Sequence, residues 1–77
     1  MTQVKVFTKE DREFGYNGTI LTHLRPRRNH TSYSFQDMMK YAKEELFWAD
    51  IAEEEVVGFE IFNKSEHWTT YIEKEVQ

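Results

Sequence analysis

Residues 34–49 read Ser-Phe-Gln-Asp-Met-Met-Lys-Tyr-Ala-Lys-Glu-Glu-Leu-Phe-Trp-Ala, and this stretch has the pattern of one amphipathic helix. Ser34 is a favourable N-cap, and Asp37 three positions later resembles a capping box, with Asp in place of the usual Glu or Gln. The apolar residues recur at spacings of three and four, which is one helical face: Phe35, Met38, Met39, Ala42, Leu46 and Ala49. The pattern predicts a helix from Phe35 to about Ala49 or Ala52. It should end before Glu53-Glu54-Glu55, because acids oppose the macrodipole at a helix C-terminus.

Two alternating apolar runs follow that helix. Residues 56–62 and 67–76 each alternate in the period of a strand, and the polar segment 63–66, Asn-Lys-Ser-Glu, separates them. One face of the first run holds Val57, Phe59 and Ile61, and one face of the second holds Trp68, Thr70 and Ile72. The pattern predicts a C-terminal β-hairpin.

The N-terminal third predicts two more strands. Val4 and Val6 alternate with polar residues, and residues 9–13 after Thr8 form a wholly charged connector. Asn17-Gly18 is a tight-turn dipeptide, and we expect a second strand from about Tyr16 to Leu24, with a loop over residues 25–33. The order strand, strand, helix, strand, strand predicts one α+β domain over residues 1–77. In it, one helix packs on one face of an antiparallel sheet of about four strands, giving two layers.

Composition limits the classes of function. The chain has 77 residues, no cysteine and a formal net charge of −4. Lack of cysteine excludes disulfides, thiolate zinc sites and thiol nucleophiles. The first residues lack the apolar core of a signal peptide, and no apolar run approaches the roughly 20 residues that span a bilayer. We therefore expect a cytoplasmic protein without a membrane-spanning segment.

A compact basic loop is the first candidate contact surface. Residues 24–30 contain Arg25, Arg27 and Arg28 in an otherwise acidic chain. Arginine forks bind carboxylates and phosphates. Three interpretations stay open: pairing with acids of the same chain such as Glu10, Asp11 and Glu13, contact with an acidic protein partner, or contact with nucleic acid.

The aromatic half of the predicted helix is the second candidate. Tyr41, Phe47, Trp48 and Ile51 lie off the main apolar stripe, so the helix is apolar nearly all round near its end. Either these side chains fold under the next loop and complete the core, or they form a partner surface. Homodimerisation is the simplest form of the second interpretation.

A cluster of acidic residues after the midpoint of the helix suggests a further hypothesis, mimicry of DNA. The cluster consists of Glu44, Glu45, Asp50, Glu53, Glu54 and Glu55. Dense negative charge can imitate the phosphates of DNA and inhibit a nucleic-acid-binding protein. More often such charge is a solvated face that keeps a small protein soluble.

Catalytic signals are weak. His23, His30 and His67 show no helical metal-ligand spacing, and the three glycines form no phosphate loop. A ribonuclease-like acid/base role for His30 or His67 is the enzymatic alternative. We expect no cofactor, no metal site and no enzymatic activity.

The general type points to a binding role. A tiny acidic domain, rich in aromatics and without catalytic motifs, is similar to accessory proteins of phages and mobile elements that bind a host protein. We therefore expect a protein-binding module that modulates a partner. Nucleic-acid binding through residues 25–30 and acidic DNA mimicry are the alternatives.

Overall fold

The computed structural model describes residues 2–21 and 34–74, and in them a four-stranded antiparallel sheet is covered by one main helix. The elements are β1 Thr2–Thr8, α1 Lys9–Phe14, β2 Thr19–Ile20, α2 Phe35–Trp48, a 3₁₀ turn Glu53–Glu55, β3 Val56–Asn63 and β4 Trp68–Glu73. The strands lie side by side in the order β2-β1-β3-β4. The predicted α+β class is confirmed, with a short additional helix, α1.

The core lies between α2 and the two central strands. β1 and β3 pair so that Val4 lies opposite Ile61 and Val6 opposite Phe59, and all four side chains are fully buried. The sheet residues meet Met38, Ala42 and Leu46 of α2 in one continuous cluster. Because each element has an apolar face that cannot be buried alone, the helix and the sheet stabilise each other.

A register shift changes which face one valine occupies. Phe7 lies opposite Gly58, but Thr8 lies opposite Val56, so the pairing shifts between Phe7 and Thr8. Val56 therefore joins Phe59 and Ile61 in the core cluster. Val57, which the alternation placed with Phe59 and Ile61, is buried as predicted, but Val56 beside it is buried too, so strict alternation does not hold at this end of β3. An extra residue on one strand of an antiparallel pair breaks the period of two.

The charged segment after β1 is a helix, which corrects the prediction of a connector. The Thr8 side chain accepts a hydrogen bond from the Asp11 amide at 3.3 Å, and the Asp11 carboxylate accepts one from the Thr8 amide at 2.8 Å. This capping box starts α1 at Lys9, and Gly15 ends it at φ 73°. Local capping thus produces a helix with no apolar stripe and no buried residue.

The second strand is shorter than predicted within the described residues. Residues 16–18 are not strand, and β2 covers only Thr19 and Ile20, which pair with Val6 and Lys5. Leu21 is buried, and its amide donates to the Val4 carbonyl at 2.9 Å. Gly18 has φ 77°, but Asn17 does not have a positive φ, so the predicted Asn-Gly tight turn is not formed. Residues 22–24 of the predicted strand lie outside the described residues.

Helix α2 follows its prediction closely. Ser34 and Asp37 form the capping box, with reciprocal hydrogen bonds of 3.2 Å. The stripe is buried at Phe35, Met38, Ala42 and Leu46. Ala49 was wrongly placed in the stripe, because it caps the helix and is exposed.

The C-terminal hairpin is confirmed. The Asn63 side-chain oxygen accepts from the Glu66 amide at 2.8 Å, which closes the polar turn. In β4 every second residue is partly buried, and Trp68 and Ile72 pack on the core. The strand ends at Glu73, so it is shorter than the predicted 67–76, and residues 75–77 lie outside the described residues.

Candidate functional site at the end of helix α2

The carboxyl end of α2 is built by a Schellman motif. The Ile51 amide donates to the Leu46 carbonyl at 2.9 Å, and the Asp50 amide donates to the Phe47 carbonyl at 3.2 Å. This motif needs a left-handed residue after the cap, and Asp50 has φ 60°. Its usual apolar contact is present as well, because Ile51 packs on the core that contains Leu46. The chain therefore turns inward at Ile51 and leaves the preceding turn outside.

Two large aromatic side chains remain exposed as a result. Phe47 is 75% exposed and Trp48 is 74% exposed. Their ring centroids lie 5.5 Å apart in an edge-to-face arrangement, which is a favourable geometry for aromatic pairs. Of the two interpretations of this region, burial under the following loop holds for Ile51 but not for Phe47 or Trp48. We call Phe47 and Trp48 the aromatic pair.

Other exposed residues of α2 adjoin the aromatic pair. Tyr41 is 37% exposed and precedes Trp48 by two helical turns, so the two lie along one side of the helix. Glu44 is exposed and lies one turn before both Phe47 and Trp48. The structure therefore brings all three predicted aromatic residues to the outer side of one helix, with a carboxylate among them.

Negative charge surrounds this end of the helix. The last turn contains no basic residue, and Asp50 and Glu53–Glu55 follow it, all of them exposed. The unpaired carbonyl groups of a helix C-terminus add partial negative charge. A partner that covers the aromatic pair would therefore be favoured by basic groups around an apolar recess.

A cleft opens on the other side of Asp50. Residues of α1 and its flanking segments, including Tyr16, line it together with Ile51. Four carboxylate residues line it: Glu10, Asp11, Asp50 and Glu55. Tyr16 also stacks on Phe14 with centroids 5.7 Å apart, and both rings are exposed. The sequence did not predict this cleft, because the cleft brings together segments about forty positions apart. A correct prediction of helix α1, which was taken for a connector, is the one sequence signal that would have indicated it.

Arg12 ties α1 to the edge strand β4. Its guanidinium donates to the Glu73 carboxylate at 2.6 Å and to the Tyr71 hydroxyl at 3.3 Å. The hydrogen bond to Tyr71, followed by that to Glu73, raises the pKa of Arg12 above its ordinary value. Since the pair with Glu73 is exposed on both sides, it orients α1 more than it stabilises the fold.

Several predicted site residues are not placed. Arg25, Arg27 and Arg28 lie outside the described residues, as do His23 and His30. His67 is exposed in the hairpin turn at φ 57°. Within residues 2–21 and 34–74, no three His, Asp or Glu side chains are close enough to hold a metal ion.

Comparison with known proteins adds no relative. No family model, no curated protein and no solved structure matches the chain. Among the described helices, none combines the length and the apolar character that a membrane crossing requires.

Proposed function

We propose that the chain is a non-enzymatic, cytoplasmic protein-binding module that modulates a partner protein through the aromatic pair. One observation carries the proposal: two adjacent aromatic side chains are about three-quarters exposed on a helix whose other face is fixed in the core. Exposed aromatics that a rigid element presents lose little side-chain entropy on binding, and Trp is frequent among the residues that dominate interface energies.

The surroundings of the aromatic pair suggest the chemistry of its partner. Glu44 and Asp50 lie on either side of it along the chain, and both are exposed. An apolar recess bordered by Lys or Arg would contact the rings and these carboxylates together. Arg25, Arg27 and Arg28 are proposed as a separate contact for acidic groups of a partner.

Affinity capture from lysate with the full chain tests this function. Because a few central residues usually carry most of the binding energy of an interface, the double variant Phe47→Ala with Trp48→Ala, which removes both exposed rings, is the informative one. Phe14→Ala is the matched control, since Phe14 is also an exposed aromatic on a helix. We expect a specific partner that the double variant loses and the control keeps. The triple variant Arg25→Ala, Arg27→Ala and Arg28→Ala tests the basic loop in the same assay.

Two outcomes would contradict the proposal. One is recovery of no partner, with wild type and variants behaving alike. The other is a partner that all variants retain equally, which would move the contact to another surface. Folding of each variant is checked by circular dichroism before capture.

Acidic mimicry of nucleic acid is a second candidate function. It is favoured by the exposure of the 3₁₀ turn, which presents Glu53, Glu54 and Glu55 a few residues after Asp50. A mimic should compete with nucleic acid for its partner, and the variant Glu53→Gln with Glu54→Gln and Glu55→Gln should compete less. If this variant competes as well as wild type, mimicry by these residues is excluded.

A further inference from the structure

Asn17 and Gly18 form a dipeptide that the proposed function does not use, and it carries a chemistry of its own. The side-chain amide carbon of an asparagine, Cγ, lies within reach of the backbone nitrogen of the next residue, and asparagine is one of the thermolabile residues. Attack by that nitrogen is easiest when the next residue is glycine, because glycine has no Cβ to crowd the approach. Asn29 and Asn63, the other two asparagines, are each followed by a residue with a Cβ.

The fold leaves the reacting groups of this dipeptide accessible. Residues 16–18 belong to neither a helix nor a strand, and the Asn17 side chain is exposed. Within residues 2–21 and 34–74, no hydrogen bond holds the Asn17 side chain, and the Gly18 amide has no acceptor. The Asn17 side chain can therefore turn its Cγ toward the Gly18 nitrogen without breaking a hydrogen bond to any of these residues.

Asn63 is the opposite case in the same chain. It is the last residue of β3, and its side-chain oxygen accepts a hydrogen bond from the Glu66 amide at 2.8 Å. Its side chain would have to leave that hydrogen bond before it could react, and the Cβ of Lys64 would crowd the attacking nitrogen. Asn63 is therefore an internal control for Asn17.

We propose that the Asn17–Gly18 bond is a site of spontaneous covalent modification in the folded protein. The Gly18 nitrogen gives its proton to solvent base and bonds to Asn17 Cγ, and the side-chain nitrogen leaves as ammonia. Water then opens the resulting cyclic imide. Cleavage of the bond between nitrogen and Cγ gives aspartate, whereas cleavage of the bond between nitrogen and the main-chain carbonyl carbon gives isoaspartate. Water is the only co-reactant, and nothing is oxidised or reduced.

The structure also indicates what the isoaspartyl product does to the fold. The Tyr16 amide donates to the Asp11 carbonyl at 2.9 Å, which fixes the segment to α1. On the other side, Gly18 lies so close to β1 that a Cβ there would stand 2.8 Å from the Val6 carbonyl. Isoaspartate routes the main chain through Cβ and so adds one carbon atom between these fixed points. It must displace Gly18 from β1 or release Tyr16 from α1, and the short pairing of β2 should loosen.

Mass spectrometry of peptides from the aged full-length protein tests the site. The native chain and the urea-unfolded chain are kept at the same mildly alkaline pH, and the modified fraction at Asn17 is followed with time. Because no unfolding is needed, the native rate should stay within about tenfold of the unfolded rate. A reaction that required global unfolding would be slower by roughly a thousandfold in a domain of this size.

Two controls accompany this measurement. Asn63 should stay intact in the native protein over the same time, and the variant Asn17→Gln should stay unmodified at position 17, because its longer side chain must close a larger ring. A native rate at Asn17 more than about tenfold below the unfolded rate would overturn the proposal, since the fold would then protect the site. Equal native rates at Asn17 and Asn63 would also overturn it, because accessibility would not select the site.

Amide hydrogen exchange followed by NMR tests the effect on the fold. The aspartyl and isoaspartyl products are separated by chromatography before the comparison. The isoaspartyl form should lose protection at the Leu21 amide, which donates to the Val4 carbonyl at 2.9 Å in the unmodified protein. The variant Asn17→Asp is the matched control, because it has the new charge and the normal main chain, and it should keep Leu21 protected. An isoaspartyl form that protects Leu21 as the wild type does would exclude the loosening of β2.

Discussion

Leu46→Ala should destabilise the fold far more than Trp48→Ala, although the two residues are only two positions apart in one helix. Leu46 is fully buried, and Trp48 is 74% exposed. Both changes leave alanine, the best helix former, so helix propensity does not account for a difference. The comparison therefore isolates burial as the cause.

The magnitudes follow from the covered surface. Truncating a buried leucine to alanine costs about 2–5 kcal/mol. A tryptophan buries about 150–250 Å² when fully covered. The quarter of Trp48 that is covered then corresponds to roughly 40–65 Å², or about 1–1.6 kcal/mol at about 25 cal/mol per Å². Part of this cover is the neighbouring Phe47 ring, and alanine returns up to about 0.5 kcal/mol of helix propensity. We expect a net cost below about 1 kcal/mol.

Urea unfolding followed by circular dichroism at 222 nm measures both changes. A domain of this size is stabilised by about 5 kcal/mol or less. Leu46→Ala should therefore be largely unfolded without urea, or should unfold at a much lower urea concentration than the wild type. Trp48→Ala should unfold cooperatively near the wild-type midpoint, with an unchanged m-value. If Trp48→Ala unfolds the domain as Leu46→Ala does, then Trp48 is part of the core. The aromatic pair would then not be a contact surface, and the reasoning from exposure would be refuted.

Three further predictions concern local features. Asp50→Asn should raise the free energy of unfolding by about 0.3–1 kcal/mol in urea, because it keeps a side chain that tolerates positive φ and removes a charge opposed to the helix dipole; a lower midpoint would contradict this. Gly58→Ala should destabilise by about 1–3 kcal/mol in a thermal melt, because a Cβ there would collide with the Tyr71 ring and approach the Ile72 carbonyl to 3.1 Å; an unchanged Tm would show that Tyr71 moves aside freely. If the basic loop contacts nucleic acid, fluorescence anisotropy with duplex DNA should give a log–log salt slope of about −2 to −3 for three arginine contacts; absence of binding at low salt would exclude that function.

Local patterns in the sequence determined most of the secondary structure. The start of α2 is defined by Ser34 and Asp37, which are only three positions apart. The spacing of the apolar side chains in the helix defines its buried face. The C-terminal hairpin follows from alternation around a polar turn in the same way. These features depend on neighbours in the chain, so one sequence is sufficient to predict them.

The start of α1 was also encoded locally but was missed. Its signal is the capping box of Thr8 and Asp11 rather than an apolar stripe, and a search for periodic burial does not detect it. The exposure of Phe47 and Trp48 is a different case. When apolar residues surround the end of a helix, they are either buried in the core or exposed as a contact surface for a partner. The sequence left both alternatives open.

What the sequence alone determined is therefore the main helix with its buried face, the C-terminal hairpin and the α+β class. The tertiary structure decided which strands are neighbours, which strands lie at the ends of the described sheet, and which aromatics the core covers. The shift between Phe7 and Thr8 placed Val56 inside, and the turn at Asp50 sent Ile51 inward while leaving Trp48 outside. The physical reason is that pairing register and packing are set jointly by segments far apart in the chain, whereas periodicity and capping are set by neighbours.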